Sequence, residues 1–590
     1  MAQDYSINPA ADTSPKPLGD HSADRRMVML ALAATVAGTG GALGAWVLLR
    51  LIALAINLFW YGRVSTATAE IGASPLFSWH AGLWVLAIPV IGSVIVGLMA
   101  RFGSEKIRGH GIPEAIEAIL YGESRLSLKV AILKPLSSAI SIGSGGPFGA
   151  EGPIIMTGGA IGSLFAQCFR LSAAERKTLL VAGAAAGMTG IFGTPLAAIL
   201  LAVEVLLFEW KPRSFVPVAI AVLVSFAWRP LLLDHGPLFP LLATSLPSGG
   251  AVAGMALALG GVIGLEAALL SSCLYRIEDL FHRLPIHWMW WPALGGVAVG
   301  IGGWIDMRVL GAGYGNIQLL LDGAFTLKMI ALLLVVKAAV WLVALGSGTS
   351  GGVLAPLLIL GGATGALLGH FLPGPMGFWA MAGMGAMMSG AMRAPLTGAL
   401  FAAELTGQFN SLPALMAASI GAYGVSVLVM RRSILTEKIA RRGRHILQEY
   451  TVDPLDFMQA GQIMTHNPQT LRGSMQLREA SAFFAQSAKH RSYPVVDEDQ
   501  RLLGLVSRSD ALRWRVEGAS GEQTLAEVVS DASQPFARRQ SPIGDVADLM
   551  VETGIGRIPI VQDDSARVIG ILSRHDLLKA RSTTRGAERR

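Results

Sequence analysis

Residues 192–204 read FGTPLAAILLAVE, and residues 392–404 read MRAPLTGALFAAE. The two stretches align without a gap at an offset of 200 residues, with Pro195 on Pro395, Leu196 on Leu396 and Glu204 on Glu404. Working outward, the run from Gly152-Pro153 through Gly158-Gly159-Ala160 to Gly162 matches Ala355-Pro356 through Gly361-Gly362-Ala363 to Gly365 at an offset of 203. Gly109-His110-Gly111 matches Gly311-Ala312-Gly313 at an offset of 202. One apolar bundle is therefore written twice in the chain. Gly/Pro-interrupted apolar segments at matching places in two halves indicate a transporter-like fold whose broken helices meet near the bilayer midplane. An inverted pair is expected, because an odd number of crossings per half gives the even total that two ends on one side require.

The composition requires lipid as solvent. Hydrophobic residues make up 52% of the 590 and charged residues 15%, where soluble domains carry about 25% charged residues. Mean hydropathy over the whole chain is +0.52. Residues 1–26 are polar and aperiodic and read as a cytoplasmic tail. The apolar run from Met27 to Trp60 is too long for the core of a signal peptide. Further apolar stretches follow up to about residue 430, several of them shorter or longer than one ~20-residue span. After Arg431-Arg432 charges become frequent, and from about residue 445 the chain reads as a soluble α/β region. Arg/Lys clusters before the first span and after the last place both ends in the cytoplasm, in a multi-pass protein of the cell (inner) membrane. The two cysteines, Cys168 and Cys273, exclude a disulfide scaffold and a CxxC metal or redox site, and no metal is expected. A net charge of +7 is not a nucleic-acid signature, so the expected partners are the bilayer and small anions.

Three stretches carry the chemistry: GHGIP at 109–113, GGPFGAEGP at 145–153 and GGVLAP at 351–356. Each places Gly before, and Pro within, the start of an apolar helix, where Pro suits the first turn and Gly the tight entry. Such starts present unpaired N–H groups at the positive end of a helix dipole. Converging, they bind a small anion without trapping it. Glu151 stands among them, and an ionisable side chain within an apolar segment is a functional residue by default. Its carboxylate can occupy the anion's place while charged and vacate it when protonated.

These stretches resemble the three signature motifs of the CLC family of chloride channels and proton/chloride exchangers, over about residues 27–444. The remainder resembles a tandem pair of CBS domains. The resemblance implies a mainly α polytopic membrane protein, a CLC inverted repeat with broken helices (repeats at about 27–232 and 251–430, then a final helix), plus a cytoplasmic α/β CBS pair. It further implies a homodimer with one pore per subunit. CBS 1 is expected at 455–515, CBS 2 at 522–583 and a short tail at 584–590.

By the same resemblance Glu151 is the gating glutamate, and the anion site comprises His110, Gly111, Ile112, Val353, Leu354 and Leu435. His110 stands where the family commonly has Ser, and Leu435 where it has the pore tyrosine, so both usual hydroxyls are absent and backbone N–H groups remain. Glu204 and Glu404, which match each other, are expected to share a structural role in closing a helix end. Val205 occupies the position at which the family's exchangers carry an inner proton-accepting glutamate. Glu114, Glu117 and Glu266 are further acids, none selected by the sequence. In the soluble tail, GLVSRSD at 504–510 matches GILSRHD at 570–576. Each unit reads as strand, turn, strand and a helix begun by a Ser-x-x-Asp capping box. The CBS resemblance gives Ser507, Asp510, Ser573 and Asp576 a second role in holding an adenine nucleotide; no cofactor is otherwise required.

Absence of HExxH and of a P-loop argues against a membrane protease and a nucleotide-driven pump. Too few acidic residues lie in the spans for a divalent-cation transporter. No enzyme is expected. The expectation is transmembrane chloride transport through a CLC-type, voltage-gated-like channel gated by Glu151 and regulated by its CBS pair. The alternative is a proton-coupled anion exchanger on the same fold.

Overall fold

The computed structural model describes residues 26–73, 82–233, 235–241, 247–444, 446, 458–517, 522–529, 535–562 and 565–580. The expected tails, apart from Arg26, lie outside these residues. Two compact units divide between Tyr450 and Thr451.

The first unit is helical and built as two matching sets. The first set comprises α1 (Arg26–Tyr61), α2 (Gly82–Phe102), α3 (Ile112–Tyr121), α4 (Leu128–Gly143), α5 (Glu151–Gln167), α6 (Ala173–Phe192), α7 (Pro195–Leu201) and α8 (Pro212–Leu232). The second comprises α9 (Gly250–His282), α10 (Trp291–Ile305), α11 (Tyr314–Leu321), α12 (Leu327–Gly346), α13 (Leu354–Gly369), α14 (Met376–Met392), α15 (Pro395–Thr406) and α16 (Leu412–Val429). A short α17 (Thr436–Arg441) has no counterpart. Among the described residues, six helices are long and apolar enough to cross a membrane. Others, such as the 10-residue α3 and the 8-residue α11, are far shorter than the ~20 residues a crossing needs.

The repeated glycines pack helices as well as start them. A side chain on Gly158 would overlap the Gly183 carbonyl, and one on Gly183 the Gly158 carbonyl. Gly361 and Gly383 repeat this at the α13–α14 contact. Small residues thus bring α5 onto α6, and α13 onto α14, backbone to backbone.

The halves meet about a local two-fold axis. Gly149 and its repeat-mate Gly352 form an antiparallel bridge, with Gly149 N–H donating to Gly352 O at 3.2 Å and Gly352 N–H to Gly149 O at 2.8 Å. Reciprocal bonding of equivalent residues is what a two-fold relation produces. Glu204 and Glu404 exchange partners in the same way. Glu204 accepts from Thr397 N (2.8 Å), Thr397 Oγ1 (2.6 Å) and Leu396 N (3.2 Å). Glu404 accepts from Ala197 N (2.8 Å) and Leu196 N (2.9 Å). Each carboxylate closes the exposed start of a helix in the opposite half, satisfying N–H groups that no intrahelical carbonyl reaches.

The second unit is α/β. β2 (Leu471–Arg472), β3 (Ser492–Val496) and β4 (Leu502–Ser507) form one sheet. β1 (Thr465–His466), β7 (Ser565–Ser573), β6 (Arg557–Gln562) and β5 (Ala537–Arg538) form the other, in the order β1-β7-β6-β5. The segments before each repeat are exchanged between the two cores. β1 pairs antiparallel with β7, and Ala460 and Met464 belong to the second core with Ile558 and Leu572. Leu525 and Val529 instead join the first core with Tyr493 and Val506. The apolar faces of the swapped segments complement the core they complete, a pairing that contiguous reading of the chain misses.

Candidate anion site and gate

Four helix starts and the loops before them carry the residues singled out from sequence. Gly111, with φ of 88°, caps α3 and turns the chain so that Ile112 is its first residue. His110, Ile112, Val353, Leu354, Leu435 and Glu151 are all buried, at 3% exposure or less. The loop before α3 packs on the first turn of α5, since a side chain on Gly152 would overlap the His110 carbonyl oxygen. On the other side of that turn lies α13. Glu151 Oε1 accepts from Ala355 N at 3.1 Å, which puts the carboxylate on the N–H groups that open α13. The bare Cα atoms of Gly149 and Gly352 make room for it, because a Cβ on either would collide with the carboxylate.

The structure thus brings His110, Gly111 and Ile112 to one side of the α5 start and Glu151, Val353 and Leu354 to the other. Leu435 is buried at the N-cap of α17, beside Ile434, whose carbonyl accepts from the Tyr275 hydroxyl at 2.5 Å. Val205 is buried within a π-helical turn, Ala202–Leu207, that extends α7. Such turns recur at functional sites, and this one presents a hydrocarbon side chain at position 205.

Three features escaped the sequence reading. Buried Lys134 donates from Nζ to Ile107 O (2.8 Å), Gly109 O (2.7 Å) and Ser350 Oγ (3.2 Å), holding the loop that carries His110. Lys337 does the same in the second half, donating to Val309 O (2.8 Å) and Gly311 O (2.9 Å). Two lysines at matching places in apolar stretches were a readable signal, since charges inside spans are rare and purposeful. The third is Tyr314, whose hydroxyl accepts from Ala150 N at 3.5 Å and faces the Glu151 carboxylate.

A cavity of about 840 Å³ reaches His110 and is walled by Glu114, Glu117, Lys438, Arg442 and Arg444 among others. Two of its acids are engaged beside His110: Lys438 pairs with Glu114 at 2.9 Å, Arg444 with Glu117 at 2.8 Å, and Arg442 with both. Glu266 lies in α9 and faces Thr364 of α13, away from this cavity. In the second unit, Asp510 Oδ2 accepts from Ser507 N (2.9 Å) and Oγ (2.6 Å), and Asp576 Oδ2 from Ser573 N (2.9 Å) and Oγ (2.6 Å). Both Ser/Asp pairs begin a helical stretch, and at Ser507 the capping box is complete.

The geometry can be set beside known proteins. The family profile "Voltage gated chloride channel" matches residues 91–427. The chain belongs to the CLC family. CBS-domain profiles match residues 460–517 and 529–583. The H(+)/Cl(-) exchange transporter ClcA of Yersinia pseudotuberculosis serotype IB is 27% identical over 436 residues, covering 70% of this chain and 88% of that protein. The voltage-gated ClC-type chloride channel ClcB of Shigella flexneri is 29% identical over 383 residues, 62% of this chain and 89% of its own. Among solved structures, a slow cyanobacterial Cl-/H+ antiporter superposes with a TM-score of 0.61 at 21% identity, covering 71% of this chain and 99% of that one. Membership makes this a multi-pass CLC anion transporter with an inverted-repeat membrane unit and a C-terminal CBS pair.

Proposed function

We propose that the chain is a proton-coupled anion exchanger, moving chloride or a similar small anion against protons, as a homodimer in the cell membrane with both ends in the cytoplasm. The observation that carries this reading is the Glu151 carboxylate lying on the Ala355 N–H at the start of α13. A charged carboxylate there competes with an anion for the same donors and the same dipole. Protonation removes the charge, weakens that hold and yields the site. A group that must take up a proton before an anion can pass ties the two fluxes together, provided that the group meets the two sides of the membrane in alternation.

Support for exchange over passive flow comes from relatives named as Cl-/H+ exchangers. It favours exchange over the channel that Val205 suggests, although a relative named as a chloride channel matches as well. Exchange on this chain requires a proton route that bypasses position 205, because Val205 carries no titratable group, while Glu114 and Glu117 on the cavity wall are held in ion pairs. The test imposes a chloride gradient across proteoliposomes with no pH gradient and follows internal pH. Uphill proton movement that Glu151→Gln abolishes is the expected result. Chloride movement without protons in the wild type would establish a channel instead.

A further inference from the structure

We infer that Tyr314 is a positioning residue for the gate: its phenol O–H holds the ionised Glu151 carboxylate over the start of α13, and release of that hold accompanies opening. The inference rests on the reading of Glu151 as the gate, for exchange or for passive flow alike.

Its basis is placement by the repeat. Gly313-Tyr314 stands in the second half where Gly111-Ile112 stands in the first. Both glycines have positive φ, 88° for Gly111 and 74° for Gly313, and each is followed by the first residue of a short helix. The two-fold relation that brings Ile112 to one side of the paired α5 and α13 starts brings Tyr314 to the other. At the first place the chain presents an aliphatic side chain, at the second a phenol. The halves differ here, at the gate, while sharing the Gly-loop, the lysine behind it and the helix that follows.

The ring is fixed from several directions. Tyr314 meets Phe192 edge-on, with centroids 6.4 Å apart, and Phe239 at 5.9 Å. Phe192 is itself braced by Phe401 at 5.2 Å. Such contacts constrain both ring torsions and therefore the direction of the hydroxyl. That oxygen accepts from Ala150 N at 3.5 Å, which leaves its hydrogen to donate elsewhere. The adjacent residue is Glu151, whose buried Oε2 has no hydrogen bond among the described residues. No Lys, Arg or His of the described residues pairs with this carboxylate. The groups that act on it are Tyr314 from α11, Ala355 N from α13 and the start of its own helix. A donor facing the unbonded oxygen of a carboxylate forms a charge-assisted bond, and the uncharged acid accepts it much more weakly. The phenol therefore favours one of the gate's two states. If Tyr314 merely filled space, its hydroxyl would be dispensable.

The experiment reconstitutes the full chain and measures anion flux against pH for wild type, Tyr314→Phe, Glu151→Gln and the double variant. Tyr314→Phe keeps the ring and loses one donor to the charged state, so protonation becomes easier. The pH of half-maximal flux should rise by about one unit. In the Glu151→Gln background the same change should have no effect. Replacing Tyr314 by 3-fluorotyrosine, a stronger donor of the same shape, should move the midpoint the other way, and it tests the idea even if Tyr314→Phe fails to fold. An unshifted midpoint in both Tyr314 variants, with a pH response that Glu151→Gln abolishes, overturns the inference and leaves the gate reading intact. A pH response that survives in Glu151→Gln overturns both.

Discussion

Glu151 combines full burial, a helix start on each side and, among the described residues, no cation paired with it. Glu151→Gln retains the shape and removes the charge proposed to compete with the anion. Its flux should no longer fall as pH rises, and proton movement coupled to chloride should cease, both read by simultaneous chloride and pH recording in liposomes. His110 is the other informative position. In the proposed anion site it supplies an imidazole and leaves the remaining contacts to backbone N–H groups. His110→Ser restores a hydroxyl donor and should shift preference toward chloride over nitrate by about tenfold, the scale of one hydrogen bond to a charged group. Permeability ratios identical before and after would show that the backbone alone sets selectivity. Both residues were legible in sequence because Gly and Pro around them dictate local geometry. Tyr314 was not, since only the fold carries it across more than 160 positions to Ala150.

Between elements, the decisive bonds cross from one half to the other. Glu204 and Glu404 each satisfy two backbone N–H groups at a helix start of the opposite repeat. Sequence equivalence revealed that these residues share a structural role. It did not reveal the partner, because an offset says which positions correspond and nothing about which ones touch. Removing either carboxylate by substitution to Ala should destabilise the folded protein by about 1–2 kcal/mol, the loss expected for a helix cap. Glu404→Gln should lose less, as its amide oxygen still accepts one of the two bonds. Thermal unfolding in detergent measures both. If Glu204→Ala unfolds at the wild-type temperature while flux collapses, the residue belongs to transport and not to the joint. The crossed caps also explain how α7 and α15 begin with Pro195 and Pro395 beside an acid from elsewhere: Pro removes one unsatisfied donor, and the carboxylate takes the next two.

At the scale of the molecule, the α/β unit shows where linear reading ends. The offset of 66 between GLVSRSD and GILSRHD identified two modules, and the strand-turn-strand order of each is legible from alternation and turn residues. The exchange of their leading segments is not, because residues 460–466 are too short for periodicity to assign them to either core. The exchange makes a specific prediction. A fragment spanning about 455–583 should fold on its own. One beginning at 469 lacks β1, the strand that covers the edge of β7, and the buried side chains of Ala460 and Met464. Burial of Met464 alone accounts for about 1.5–3 kcal/mol, so the shorter fragment should unfold at a clearly lower temperature or aggregate through its bared strand edge. Equal stability of the two would return residues 460–466 to the role of a linker. The longer fragment also tests the proposed nucleotide site. Asp510 and Asp576 already spend Oδ2 on their capping serines, which leaves Oδ1 for a ribose, and Arg513 competes for it at Asp510 from 3.1 Å. Asp576 is therefore the better candidate of the two, and Asp576→Ala should weaken adenine-nucleotide binding more than Asp510→Ala does. Calorimetry reads the difference at a temperature where both variants remain folded, since each also loses a helix cap. No heat with ATP, ADP or AMP in the wild-type fragment would confine both aspartates to capping and leave the unit a structural module.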